Sequence, residues 1–168
     1  VLLVISANDG AYALAEASGG SVAGFQTQLT SLGSRLGMHD STFNDPAGLD
    51  DRTSYQGGPK MSPFDIAIAT RAALNTPLLA AFANSPNYSF TDPTGKRHIV
   101  KNHNQLLTGL RNAYSGADGF KTGHTTRAGG TLTATATRNG RTLIAVVMGT
   151  PDTFGWAAKL FDDGWRTT

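Results

Sequence analysis

Apolar residues recur at Val22, Phe25, Leu29, Leu32 and Leu36, spacings of three and four. That spacing predicts one amphipathic helix over residues 21–36. Gly37 then serves as its left-handed cap. An earlier helical stretch over residues 8–17 carries Ala11, Ala13, Leu14, Ala15 and Glu16 and stops at Gly19-Gly20. Ahead of it, Val1-Leu2-Leu3-Val4-Ile5 reads as the end of a buried helix whose beginning is missing. It is too short to span a membrane and lacks the charged flank of a signal peptide. Ser62-Pro63-Phe64-Asp65 predicts a further helix, with Ser62 as cap and Pro63 at the first helical position. The Asp65 carboxylate is expected to face the positive end of the helix dipole. This helix should run to about Leu74 and stop before Pro77.

From residue 88 the period changes from helical to two-residue. Residues 88–90 and 97–100 predict short strands around the turn Asp92-Pro93-Thr94-Gly95. A β-meander is expected in the last third. Residues 119–123 form a short, edge-like strand. Residues 131–137 alternate Thr with Leu132, Ala134 and Ala136 and read as half-buried. Asn139-Gly140 is a type I′ hairpin signal. Residues 142–148 are apolar on both faces, which predicts the central strand. A closing helix over residues 153–165 offers Trp156, Leu160, Phe161 and Trp165 for one face, with both tryptophans as core anchors.

Two segments fit neither period. Residues 38–61 are rich in Gly, Pro, Asp and Ser and read as a long loop around the turn Asp45-Pro46-Ala47-Gly48. Asp45, Asp50 and Asp51 are expected there as solvated turn residues rather than as paired glycosidase carboxylates or calcium ligands. Asn102-His103-Asn104-Gln105-Leu106-Leu107 reads as a polar loop tied down by two leucines. No repeat, linker or internal boundary interrupts the 168 residues, so one α+β domain is expected: an antiparallel β-sheet flanked by helices.

Composition narrows the chemistry. The excess of 14 basic over 12 acidic residues leaves only +2, which gives no nucleic-acid signal. With no cysteine, disulfides, thiolate nucleophiles and cysteine-based zinc sites are excluded. His39, His98, His103 and His124 show no metal-binding spacing and read as loop or surface residues. No cofactor is implied.

Two short motifs carry chemistry. Lys121-Thr122-Gly123 arises by chance in on the order of a few per cent of chains this long, and Ser6-Ala7-Asn8 is a common pattern. Their order is the informative point, because together they are two of the three elements of an acyl-serine site. Lys121 supplies positive charge and lowers the proton affinity of a neighbouring hydroxyl. Thr122 adds a donor, and Gly123 lets a substrate backbone approach closely. Ser6 can relay a proton, and Asn8 can hold a substrate amide. The third element, Ser-x-x-Lys, does not occur in the sequence.

Several blocks in the same order resemble the penicillin-binding D-alanyl-D-alanine carboxypeptidases, low-molecular-mass serine peptidases of bacterial cell-wall maturation. Ser6-Ala7-Asn8-Asp9 with Ala13-Leu14-Ala15-Glu16 is similar to their second motif. Leu36-Gly37-Met38, Thr42-Phe43-Asn44 and the run from Asp45 to Asp50 resemble their long loop. Asn102 to Leu107 matches the segment before the third motif. Asp118-Gly119-Phe120-Lys121-Thr122-Gly123-His124-Thr125 with Ala128-Gly129 is similar to that third motif in full. Gly140-Arg141 with Leu143 to Gly149 resembles the closing strand.

The resemblance implies a β-lactamase/transpeptidase-like fold, N-terminally incomplete, forming part of a catalytic domain across residues 1–168. It implies a serine acyl-enzyme mechanism on peptidoglycan stem peptides ending in D-Ala-D-Ala, with β-lactams acylating the same serine. Ser6, Asn8 and Lys121 would be catalytic. Lys121, Thr122, Gly123 and His124 would bind substrate, with the backbone N–H of His124 as one oxyanion donor. An extracytoplasmic, bacterial setting follows, with any membrane attachment made by segments outside these residues. Two departures stand out. The nucleophile is absent, so these residues alone should be inactive. The arginine that the family often carries after the closing strand is also missing from Thr150-Pro151-Asp152-Thr153-Phe154-Gly155-Trp156. Arg127 is a possible substitute, although a solvated hairpin cation is the simpler reading. The alternatives are a serine β-lactamase, which lacks support from any loop glutamate, and an inert chain that binds peptidoglycan or β-lactam.

Overall fold

The computed structural model describes residues 2–50 and 54–167, so Val1 and Asp51 lie outside the described residues. The helices are α1 (Leu2–Ile5), α2 (Asn8–Gly19), α3 (Val22–Leu36), α4 (Pro63–Leu74), α5 (Pro77–Ala83) and α6 (Thr153–Arg166). The strands are β1 (Asn87–Thr91), β2 (Arg97–Lys101), β3 (Ala117–Thr125), β4 (Gly129–Arg138) and β5 (Arg141–Met148), and a 3-10 turn lies at Tyr55–Gly57. β1 and β2 form an antiparallel hairpin. The other three strands form an antiparallel meander in the order β3-β4-β5.

Helix boundaries follow the expected capping chemistry. The Ser21 hydroxyl accepts the Gly24 N–H at 3.0 Å, and Gly37 closes α3 in the left-handed conformation. The Ser62 hydroxyl accepts the Asp65 N–H at 3.1 Å. Asp65 does more than face a dipole. Its carboxylate is buried and accepts the Asp40 N–H at 2.9 Å and the Ser41 hydroxyl at 2.7 Å, which pins the loop after α3 onto α4. Helix α5 is unexpected, because seven residues opened by Pro77 are too few to display a period.

The meander has two faces of different chemistry. On one, Leu132, Ala134 and Ala136 of β4 and Ala145 and Val147 of β5 pack against Ala157 and Phe161 of α6. On the other, Thr133 and Thr135 are also buried, and the Thr133 hydroxyl meets that of Thr70 on α4 at 2.9 Å. This corrects two expectations. The 131–137 stretch is not half-buried, and β4, not β5, is central. Thr133 and Thr135 are buried on the second face, so alternation of Thr with apolar residues looks amphipathic without being so. Helix α6 also turns differently. Its buried line is Thr153, Ala157 and Phe161, continued by the partly buried Trp165, one turn apart each. Trp156 and Leu160 are exposed, and the Lys159 ammonium sits 4.5 Å from the Trp156 ring centre. No single described helix is long and apolar enough to cross a membrane.

Candidate active site

A one-residue irregularity aims Lys121. Between Ala117 and Gly119, two residues of β3 oppose one of β4: Ala117 pairs with Ala136, and Gly119 pairs with Thr135. A bulge of this kind switches which residues face which side. Ala117 stands on the α6 face, whereas Lys121 pairs with Thr133 and stands on the opposite one. The turn is tight. Gly119 has φ +89°, and a Cβ there would lie 2.1 Å from the Ala83 carbonyl oxygen. Phe120, buried beside it, has φ +118°, a conformation that a bulky residue adopts only when its surroundings hold it there.

The facing wall comes from the junction of α1 and α2. Ser6 links them at φ +57°, again left-handed. Its hydroxyl accepts a hydrogen bond from Lys121 Nζ at 2.7 Å, across 115 residues of sequence. Lys121 Nζ also donates to the Thr122 carbonyl. An ammonium has three donors, so one remains unmatched among the described residues. Burial disfavours the charged form and pulls the Lys121 pKa from 10.5 down to about 8.

The pair lies beside a cleft of about 760 Å³. Ser6, Asn8, Thr122, Gly123 and His124 all line it, and Lys121 meets it through Ser6 rather than lining it directly. Asn8 begins α2 and is exposed to the cleft. Of the six site residues read from the sequence, the structure thus brings five to one surface and sets the sixth behind it. Sequence reasoning missed His103, Thr150, Thr153 and Phe154, which also line the cleft. His103 had a signal in the Asn-His-Asn run: Asn102 and Asn104 are buried, not solvated, and fix the loop. Asn102 Nδ2 donates to the Ala83 and Ser85 carbonyls, and the His103 N–H donates to the Val4 carbonyl at 3.1 Å. Arg127 does not reach the cleft, because its guanidinium donates to the Asp50 carbonyl at 3.1 Å. None of the lining residues is acidic, so the cleft suits an anionic group. No cluster of metal-ligating side chains occurs among the described residues.

The sequence model of the D-alanyl-D-alanine carboxypeptidases, peptidase family S11, matches residues 1–152. The chain belongs to this carboxypeptidase family. D-alanyl-D-alanine carboxypeptidase DacB2 of Mycobacterium tuberculosis is 34% identical over 173 residues, covering 98% of the chain and 55% of DacB2. Among solved structures, a penicillin-binding protein homologue from the same organism superposes with a TM-score of 0.85 at 30% identity, over 99% of the chain and 62% of that protein. The Streptomyces K15 DD-transpeptidase superposes with a TM-score of 0.85 at 27% identity, over 98% and 65%. The helices and antiparallel sheets are those of the penicillin-binding transpeptidase fold. The chain spans about half the length of the curated relative DacB2.

Proposed function

We propose that residues 1–168 form two walls of a serine-type D-Ala-D-Ala carboxypeptidase site, within one catalytic domain. The observation that carries this reading is the Lys121 Nζ to Ser6 Oγ hydrogen bond of 2.7 Å at the edge of an acid-free cleft. The nucleophile is the serine of a Ser-x-x-Lys element, which these residues do not contain. Its oxygen attacks the penultimate D-Ala carbonyl carbon, and the oxyanion is received by the backbone N–H of His124. As the C–N bond breaks, Ser6 relays the proton given up by the nucleophile's hydroxyl to the departing D-Ala amine. Water then attacks the ester carbon, the bond to the serine oxygen breaks, and the water's proton returns to that oxygen as the shortened peptide leaves. Asn8 holds a substrate amide, while Lys121 keeps Ser6 polarised and, with Thr122, favours the substrate carboxylate. Peptidoglycan stem peptides are the substrates, β-lactams acylate the same serine, and the protein works outside the cytoplasm of a bacterium.

The test is covalent labelling. The protein carrying these residues together with a Ser-x-x-Lys element is expected to take up fluorescent penicillin on that serine, whereas residues 1–168 alone take up none. A folded protein that contains the element and stays unlabelled sinks the proposal.

A further inference from the structure

The loop after α3 touches both walls of the cleft within six residues, and neither contact was legible in the sequence. On the α2 side, the buried Asp45 carboxylate accepts a hydrogen bond from the Tyr12 hydroxyl. Tyr12 stands one helical turn beyond Asn8, on the same face of α2. On the β3 side, the Asp50 carboxylate accepts the Thr125 hydroxyl at 2.6 Å, and the Asp50 carbonyl accepts Arg127 Nη1 at 3.1 Å. Thr125 lies on the same strand face as Lys121 and Gly123. Its hydroxyl also accepts the Ala128 N–H at 2.9 Å, so one side chain sets both the strand end and the turn after it.

Between the two contacts the loop is itself held. Asp45 accepts the N–H groups of Ala47, Leu49 and Tyr55 at 2.8, 3.1 and 2.8 Å. Burial raises its proton affinity, but the Tyr12 hydroxyl and these three N–H groups outweigh that and hold the carboxyl below its ordinary range. Gly58 packs so closely that a Cβ there would lie 2.2 Å from the Leu49 carbonyl oxygen. Neither Asp45 nor Asp50 lines the cleft.

We propose that residues 45–50 are a strap that sets the spacing of the two cleft walls, with Asp45 and Asp50 as positioning residues. Strand β3 is the edge of its sheet, so β4 alone holds it from within the sheet, and Gly123 and His124, just before its last residue Thr125, are exposed. The strap supplies a second anchor at Thr125.

The test uses Asp50→Ala, Thr125→Val and Thr125→Ser in the protein that also carries the Ser-x-x-Lys element. Amide exchange at residues 122–125 is expected to quicken about tenfold in the first two variants, with that at 132–136 unchanged. Thr125→Ser, which keeps the hydroxyl, should exchange like the wild type. Unchanged exchange at 122–125, or equal acceleration across the whole sheet, overturns the strap. Acylation by fluorescent penicillin, which rests on the function proposed above, should slow about tenfold in the same two variants and recover in Thr125→Ser. Normal acylation despite faster local exchange overturns the positioning role. A wild type that takes up no penicillin, with the exchange result intact, supports the strap and sinks only the acyl-enzyme reading. Arg166→Ala, which removes an exposed pair with Asp163 on α6, serves as a control that changes neither measurement.

Discussion

The two ends of the β3-β4-β5 meander are built differently. At the far end, the β4–β5 hairpin is clasped by aromatic and cationic side chains. Arg138 lies 4.8 Å from the Tyr114 ring centre and 5.0 Å from that of Trp165, while Arg141 lies 5.6 Å from Trp165. The Tyr114 hydroxyl donates to Asp162 at 2.7 Å and accepts the Trp165 indole N–H at 3.1 Å. At the cleft end the lining includes Gly123 of β3, Gly129 and Gly130 at the start of β4 and Gly149 just after β5, and the nearby backbone at Ser6 and Phe120 is strained. One end is dense in side-chain contacts, and the other keeps side chains out of the way. The contrast teaches that the fold puts its stability far from the cleft and leaves an open surface where a substrate backbone could lie.

The sharpest way to break this comparison is at Lys121. Lys121→Ala should lower acylation by fluorescent penicillin by about a thousandfold or more. The thermal midpoint should hold steady or rise, because a buried cation is removed. A variant that acylates normally rules out the assigned role. The opposite experiment is Trp165→Ala at the far end, expected to cost about 2–3 kcal/mol in chemical denaturation. Acylation per folded molecule should stay unchanged, and a matching loss of acylation would show that the two ends are not separable.

A smaller effect concerns pH. Lys121 is charged below about 8 and neutral above it, so acylation should fall along a limb centred near pH 8. In Lys121→Arg, any surviving acylation should lose that limb, since guanidinium stays charged. The stability effect has the opposite sign. Between about pH 8 and 10.5 the unfolded chain binds more protons at this lysine than the folded one, so its contribution to stability rises with pH across that window. A limb that rises instead of falling would make neutral Lys121 a base rather than a cationic donor.

Much of the architecture was legible. Ser21, Gly37 and Ser62 marked helix ends through chemistry confined to a few neighbouring residues. Asn139-Gly140 marked its hairpin because both residues take positive φ, +51° and +78°. Candidate site residues were legible as motifs, since Ser6-Ala7-Asn8 and Lys121-Thr122-Gly123 stand in the order that an acyl-serine site needs. The errors share a cause. Asp45 read as a solvated turn residue and is buried at the hub of its loop. Trp156 read as a core anchor and is exposed. Strand β5 read as central because both its faces are apolar, yet it pairs with β4 alone among the described strands. In each case residue type was known, and the neighbours across space were not.

By itself, then, the sequence determined the local elements, the chemistry available and the family it resembles. Each of these depends on residue types within a few positions, or on the order of motifs along the chain. Only the tertiary structure decided that a bulge at Asp118 turns Lys121 away from α6, that its ammonium meets Ser6, and that one loop holds both walls. A one-residue shift of register moves a side chain to the opposite face of a sheet. Contacts across 115 or 75 residues are fixed by packing, which no local pattern encodes.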